Sequence, residues 1–172
     1  MSELDEAWAL ALAEAEKRAR VAGRNDLAEY LALRHSNDLV RQTGIDWLLR
    51  TFQELAGQAN RAGSPIQISA ADGHRFHIGS STMVGRLLTL SNGVRTLFVE
   101  AGWPRTPRDG FIRGGGLACA NLRHLGIRAA NRKLLLLKSE AGTPLWRVEN
   151  SMLHLDEATI GHHLEILLDR KQ

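Results

Sequence analysis

The sequence predicts an α+β fold: helices first, an antiparallel sheet after them, and a C-terminal helix packed on that sheet. Three observations carry this. Apolar residues recur at helical spacing as far as residue 62, and the period changes to two from Pro65. Short turn signals, Asp72-Gly73, Asn92-Gly93 and Ala141-Gly142, then separate the alternating runs. Strands joined by turns this short pair antiparallel, and the flanking helices cover one face of the sheet.

In the helical segment 1–62, Ser2 followed by Asp5 has the form of a capping box. Leu4, Trp8, Ala11, Leu12, Ala15 and Ala19 then lie on one stripe of a helix running to about Gly23. Asn25 or Asp26 caps a short second helix bearing Leu27, Tyr30 and Leu31. Ser36-Asn37-Asp38 offers the start of a third, whose apolar face is Ile45, Leu48, Leu49, Phe52, Leu55 and Ala56. Thr43-Gly44 should break or kink it, and Ala62-Gly63-Ser64-Pro65 ends the segment.

In the β-rich segment 65–150, Ile66, Ile68 and Ala70 alternate ahead of Asp72-Gly73, with Phe76 and Ile78 after it, which predicts a first hairpin. Asn92-Gly93 supplies the two positive-φ residues of a type I′ turn between strands 85–91 and 94–100. Residues 101–116 hold two of the four prolines and five of the sixteen glycines, so an irregular Gly/Pro/Arg-rich loop is expected. Residues 117–125 read as a short helix stopped by Gly126, a strand of alternating small residues being the alternative. A further hairpin pairs 133–139 with 145–150, and in segment 151–172 Asp156 caps a helix carrying Ile160, Leu164, Leu167 and Leu168.

At 172 residues, 44% apolar and 24% charged, the chain suits one globular core, and a single domain over 1–172 is expected. Its longest apolar run, 7–13, is far below the roughly 18 residues of a membrane span, so no membrane partner is expected. Glu3, Asp5 and Glu6 at the start are unlike a secretory or mitochondrial leader, and a single cysteine, Cys119, forms no internal disulfide. Both point to a cytoplasmic protein.

The net charge of +3 is unevenly placed. Residues 101–133 carry seven bases against Asp109 alone, whereas 1–62 carry eight bases and ten acids. The candidate ligand-binding residues are therefore Trp103, Arg105, Arg108, Phe111, Arg113, Gly114, Gly115, Gly116, Arg123 and Arg128, with Arg132 and Lys133 beside them. Arginines fork onto phosphate or carboxylate, aromatic rings stack on bases, and glycines let a ligand approach the backbone. A helix starting after Gly116 would add unpaired amides as a second anion site. These residues predict a non-enzymatic binding module for an anionic partner, nucleic acid or nucleotide first, with an acidic peptide also fitting. Trp103 either anchors the loop or meets the ligand, while Trp8, Trp47 and Trp146 read as core.

Catalytic signals are weaker. The glycine run lacks the Gly-Lys-Ser/Thr of a phosphate loop, and Cys119 stands where a dinucleotide fingerprint needs its third glycine, so no cofactor is expected. His74 and His77, three apart on a strand, point to opposite faces and predict no metal. His162 and His163 lie about 100° apart on the last helix, one toward solvent and one at the core edge. Cys119 at a helix start near His124 would be a nucleophile, but among small apolar residues it reads as core. The alternative to a binding module is a small enzyme under loop 101–116, with Arg113 and the glycine amides stabilising charge and Asp109, Glu100, His74 or His124 moving protons. A second alternative is an adaptor that binds a protein, or itself, through the N-terminal helices.

Overall fold

A computed structural model describes residues 3–169. It has two N-terminal helices, α1 (Glu3–Val21) and α2 (Asn25–Arg61), six strands, and a closing helix α3 (Glu157–Leu168). The strands are β1 (Gln67–Ile78), β2 (Ser81–Asn92), β3 (Arg95–Trp103), β4 (Ala118–His124), β5 (Arg132–Lys138) and β6 (Pro144–Val148). They form one antiparallel sheet in sequence order. No helix among the described residues is long and apolar enough to cross a membrane. Ser2, the expected cap of α1, lies outside the described residues.

The expected second and third helices are one helix of 37 residues. Ser36-Asn37-Asp38 does not interrupt it, because the Asp38 carboxylate is taken by the Arg41 guanidinium and the Trp8 indole instead of a helix-start amide. Thr43-Gly44 does not break it either. Gly44 is where α2 presses on the sheet: a Cβ there would stand 2.8 Å from Leu136 Cδ1 and 3.1 Å from Pro144 Cβ. The Trp146 indole N–H donates to the Gly44 carbonyl at 2.8 Å across this contact. Glycine is kept in mid-helix by packing, against its weak helix propensity.

Asp72-Gly73 makes no hairpin. Strand β1 runs through it with a bulge between Asp72 and His74, and the chain turns at Gly79-Ser80, between the paired Ile78 and Ser81. The next hairpin is where the sequence places it, but Asn92 pairs with Arg95, so the turn residues are Gly93 and Val94. Gly93 has φ 60°, whereas neither Asn92 nor Val94 has a positive φ. Glycine thus fills the first central position, as a type II′ turn requires, in place of the expected I′ pair. The last hairpin pairs Lys138 with Pro144, and Asp156 caps α3 by accepting from Thr159 N at 2.8 Å.

Residues 117–125 hold no helix. β4 pairs with β3 on one side and β5 on the other, so it lies inside the sheet with both faces covered. Ala118, Cys119, Ala120, Asn121 and Leu122 are all buried, and a strand buried on both faces shows no apolar alternation.

Helices α2 and α3 cover one face. Leu48 and Phe52 of α2 and Ile160 and Leu167 of α3 meet Leu88, Val99 and Leu122 of the sheet in the main core. On the second face, loop residue Ile112 packs on a smaller cluster of Phe76, Met83 and Cys119.

Candidate functional site

The predicted ligand residues are distributed over the end of β3, the loop, β4 and the turn after it. Trp103 ends β3, is only 9% exposed, and anchors the chain where it leaves the sheet. Arg105 lies over its ring, the guanidinium carbon 3.6 Å from the ring centroid, and is held by Asp5 of α1 at 3.1 Å. Arg108, Phe111 and Arg113 stand exposed on the loop. Arg123 is on the second face of the sheet, ion-paired with Glu100 at 3.2 Å and lying over Phe98. Arg128 is exposed in the 3-10 turn between β4 and β5, beyond the opposite end of β4 from the loop. Six steps along β4 separate the two groups, about 20 Å at ~3.3 Å per residue.

The glycines shape the loop. Gly114 and Gly115 have φ of 82° and 73°, and a Cβ on Gly116 would strike Leu135 Cδ1 at 2.1 Å. No helix follows them, so the expected amide cluster at a helix N-terminus is absent there. Cys119 accordingly sits in a strand, and burial, helped by Glu149, pushes its thiol up to about 12. A thiol so protonated is a packed core group at neutral pH and no thiolate nucleophile.

The acid–base candidates are likewise divided. His74 Nε2 lies 2.7 Å from Glu100 Oε2 on the second face, while His124 is on the helix-covered face, against His163 of α3. Asp109 accepts from the Thr106 backbone and hydroxyl at 3.1 Å and pairs with Arg75. His77 turns to Thr82. His162 is exposed beside Glu165 and His163 is 3% exposed, in keeping with one ring out and one in.

The principal concave feature involves residues the sequence does not mark as a group. A groove of about 850 Å3 runs between the α1–α2 hairpin and the start of the loop. Leu4 and Trp8 come from α1, Tyr30 and Leu33 from α2, and Trp103 and Pro104 from the sheet end. Trp8 and Trp47, both expected in the core, are 47% and 40% exposed, and only Trp146 of that set is buried. Trp8 is held at the groove by its N–H bond to Asp38 and by the Arg34 guanidinium 5.0 Å from its ring centroid. Arg41 is fixed by Asp38 at 2.6 Å and by the Leu117 carbonyl at 2.8 Å. Arg34 pairs with no carboxylate among the described residues. The groove therefore joins exposed apolar and aromatic surface to one uncompensated cation.

A second polar constellation centres on Glu100, which is 4% exposed yet accepts from His74, Asn121 and Arg123. Burial alone would raise its pKa, but the His74 and Asn121 donors and the Arg123 charge outweigh it and hold the carboxyl below its ordinary value. No family model matches this chain, and no curated protein or solved structure is similar enough to it to count as a match.

Proposed function

We propose that this chain is a non-enzymatic binding module whose groove between the α1–α2 hairpin and the loop takes an acidic, amphipathic helical segment of a protein partner. The observation that carries this is one wall of large apolar side chains, Leu4 at 77%, Tyr30 at 59%, Leu33 at 57% and Trp8 at 47% exposure, rimmed by Arg34. Contiguous apolar surface with a polar rim is how a soluble protein presents a docking site. Leu4 and Ala11, at the two ends of the groove's α1 lining, are seven steps apart, about 10 Å at 1.5 Å per residue, which suits two turns of a partner helix laid between the α1–α2 hairpin and the loop. Carboxylates on such a segment would meet Arg34, with Arg41 and Arg105 already braced by Asp38 and Asp5.

Nucleic acid is the second proposal. It is favoured by one observation, Phe111 standing 73% exposed between Arg108 and Arg113.

Fluorescence polarisation separates the two. A labelled helical peptide with Leu on one face and Glu on the other should bind wild type, lose at least tenfold in affinity in Trp8→Ala and Arg34→Glu, and be unaffected by Arg108→Ala/Arg113→Ala. Absence of peptide binding, together with oligonucleotide binding that falls tenfold from about 50 to 200 mM salt and disappears in the double variant, would replace the first proposal by the second.

A further inference from the structure

We propose that the free edge of β1 is an interaction surface for a second copy of this chain, pairing antiparallel about a two-fold axis at Ser69. The two edges of the sheet are treated unequally. On the β6 side the strand is five residues long, opens with Pro144, and is covered by residues 153–155. There Val148 N–H donates to the Leu153 carbonyl and Leu155 N–H to the Trp146 carbonyl, each at 2.9 Å. One edge is thus closed by the chain itself.

The β1 edge has no such cover. Among the described residues, no backbone hydrogen bond engages its outer side, although the strand is twelve residues long. Residues 67–73 are all exposed, and Ile68 is 40% exposed. From Gln67 to Ala71 there is no proline and no charged residue, two of the devices that ordinarily blunt an edge. The start of the strand is nonetheless held in place, because the Asn60 side chain bonds both the N–H and the carbonyl of Ile66 at 2.8 Å. A fixed, uncharged, unpaired edge is a template for another strand.

A second copy is the occupant because the segment complements itself. With the axis at Ser69, Ile68 faces Ala70 of the partner subunit and Gln67 faces Ala71 of the partner subunit, and no two charges oppose. Asp72 and its equivalent in the second copy fall six positions apart, about 20 Å, well beyond a Debye length at physiological salt. The bulge between Asp72 and His74 then ends the flat segment before the charged half of β1 begins.

The test combines mass and cross-linking on the full chain. Light scattering should give twice the 19.0 kDa chain mass for wild type, and Ile68→Lys should weaken the dimer at least tenfold while leaving circular dichroism unchanged. Ser69→Cys should form a disulfide-linked dimer on mild oxidation, since residues opposed across the axis have Cα atoms about 4.5–5.5 Å apart. Cys119 is buried, so wild type and Val94→Cys, whose new thiol sits at an exposed hairpin tip, should not. A wild-type monomer at every concentration overturns the proposal. So does a dimer that Ile68→Lys leaves intact, or one that Ser69→Cys fails to link. A dimer lost in Trp8→Ala and kept in Ile68→Lys would place self-association in the groove and refute the β1 edge.

Discussion

His124 Nε2 and His163 Nδ1 lie 2.9 Å apart, their rings stacked 17° from parallel, and this contact pins α3 to β4 in the covered half of the sheet. One ring must donate and the other accept, so at least the accepting ring is neutral. Burial first, then electrostatic interaction with neighbouring groups, pushes both side chains down to about 4: Arg132 and Arg95 act on His124, and His124 and Arg132 act on His163.

The pair predicts a pH dependence. Between the ordinary histidine value near 6.5 and about 4, the unfolded chain binds protons that the folded chain does not, so stability falls as pH falls through that window. Urea unfolding at pH 7 and pH 5 should differ by on the order of 4 kcal/mol, about half from each ring, and His163→Leu should remove about half of that difference. An unchanged midpoint over this range in wild type would show that the two rings are free to protonate in the folded protein. The carboxylates add to acid loss only lower, below their own ordinary values.

Glu100 predicts a large single-site effect. Its carboxylate satisfies His74, Asn121 and Arg123 from within the sheet, so Glu100→Ala strands the buried Asn121 amide and leaves the part-exposed His74 and half-exposed Arg123 to water. The expected loss is about 2–3 kcal/mol in chemical denaturation. Asn121→Ala should cost much less, about 1 kcal/mol, because it removes one donor to Glu100 while also deleting a buried Oδ1 that has no hydrogen-bond partner. Equal losses in the two variants would mean that the network acts through packing and not through the buried charge.

Elements whose signals are local were legible. Asp156 could be read as a cap because the residue it bonds, Thr159, is three positions away, and Gly93 marked a hairpin because a two-residue turn needs positive φ at a defined place. Elements set by tertiary contact were not. Gly44 looks like a helix breaker until Leu136 and Pro144 are seen against it. β4 hides its period because both its faces are covered, and Asp72-Gly73 looks like a turn although the chain carries it as a bulge. The groove is the clearest case. Trp8 and Arg34 are far apart in sequence and meet only because α1 folds back on α2, so no spacing pattern announces them. The basic segment was visible as composition, but the fold distributes its arginines over the loop, β4 and the turn after it.

Two glycines should respond to alanine with opposite signs. Gly85 of β2 faces Gly102 of β3, and a Cβ on Gly85 would fall 1.9 Å from the Ala101 carbonyl oxygen and 2.6 Å from Gly102 Cα. Both obstacles are backbone of a central strand, so the sheet itself would have to part, at a cost of about 3 kcal/mol or more. Gly57 lies within α2, where a Cβ meets nothing nearer than Arg61 Nη1 at 3.6 Å, an ordinary contact. There alanine removes backbone freedom from the unfolded chain and strain from neither state, and should add about 0.5–1 kcal/mol. Thermal melts of Gly85→Ala, Gly57→Ala and the double variant measure both terms. The sites lie on different elements, so their effects should add within about 0.5 kcal/mol. A Gly85→Ala protein that melts with wild type would mean that β2 and β3 are not packed backbone to backbone at this pair.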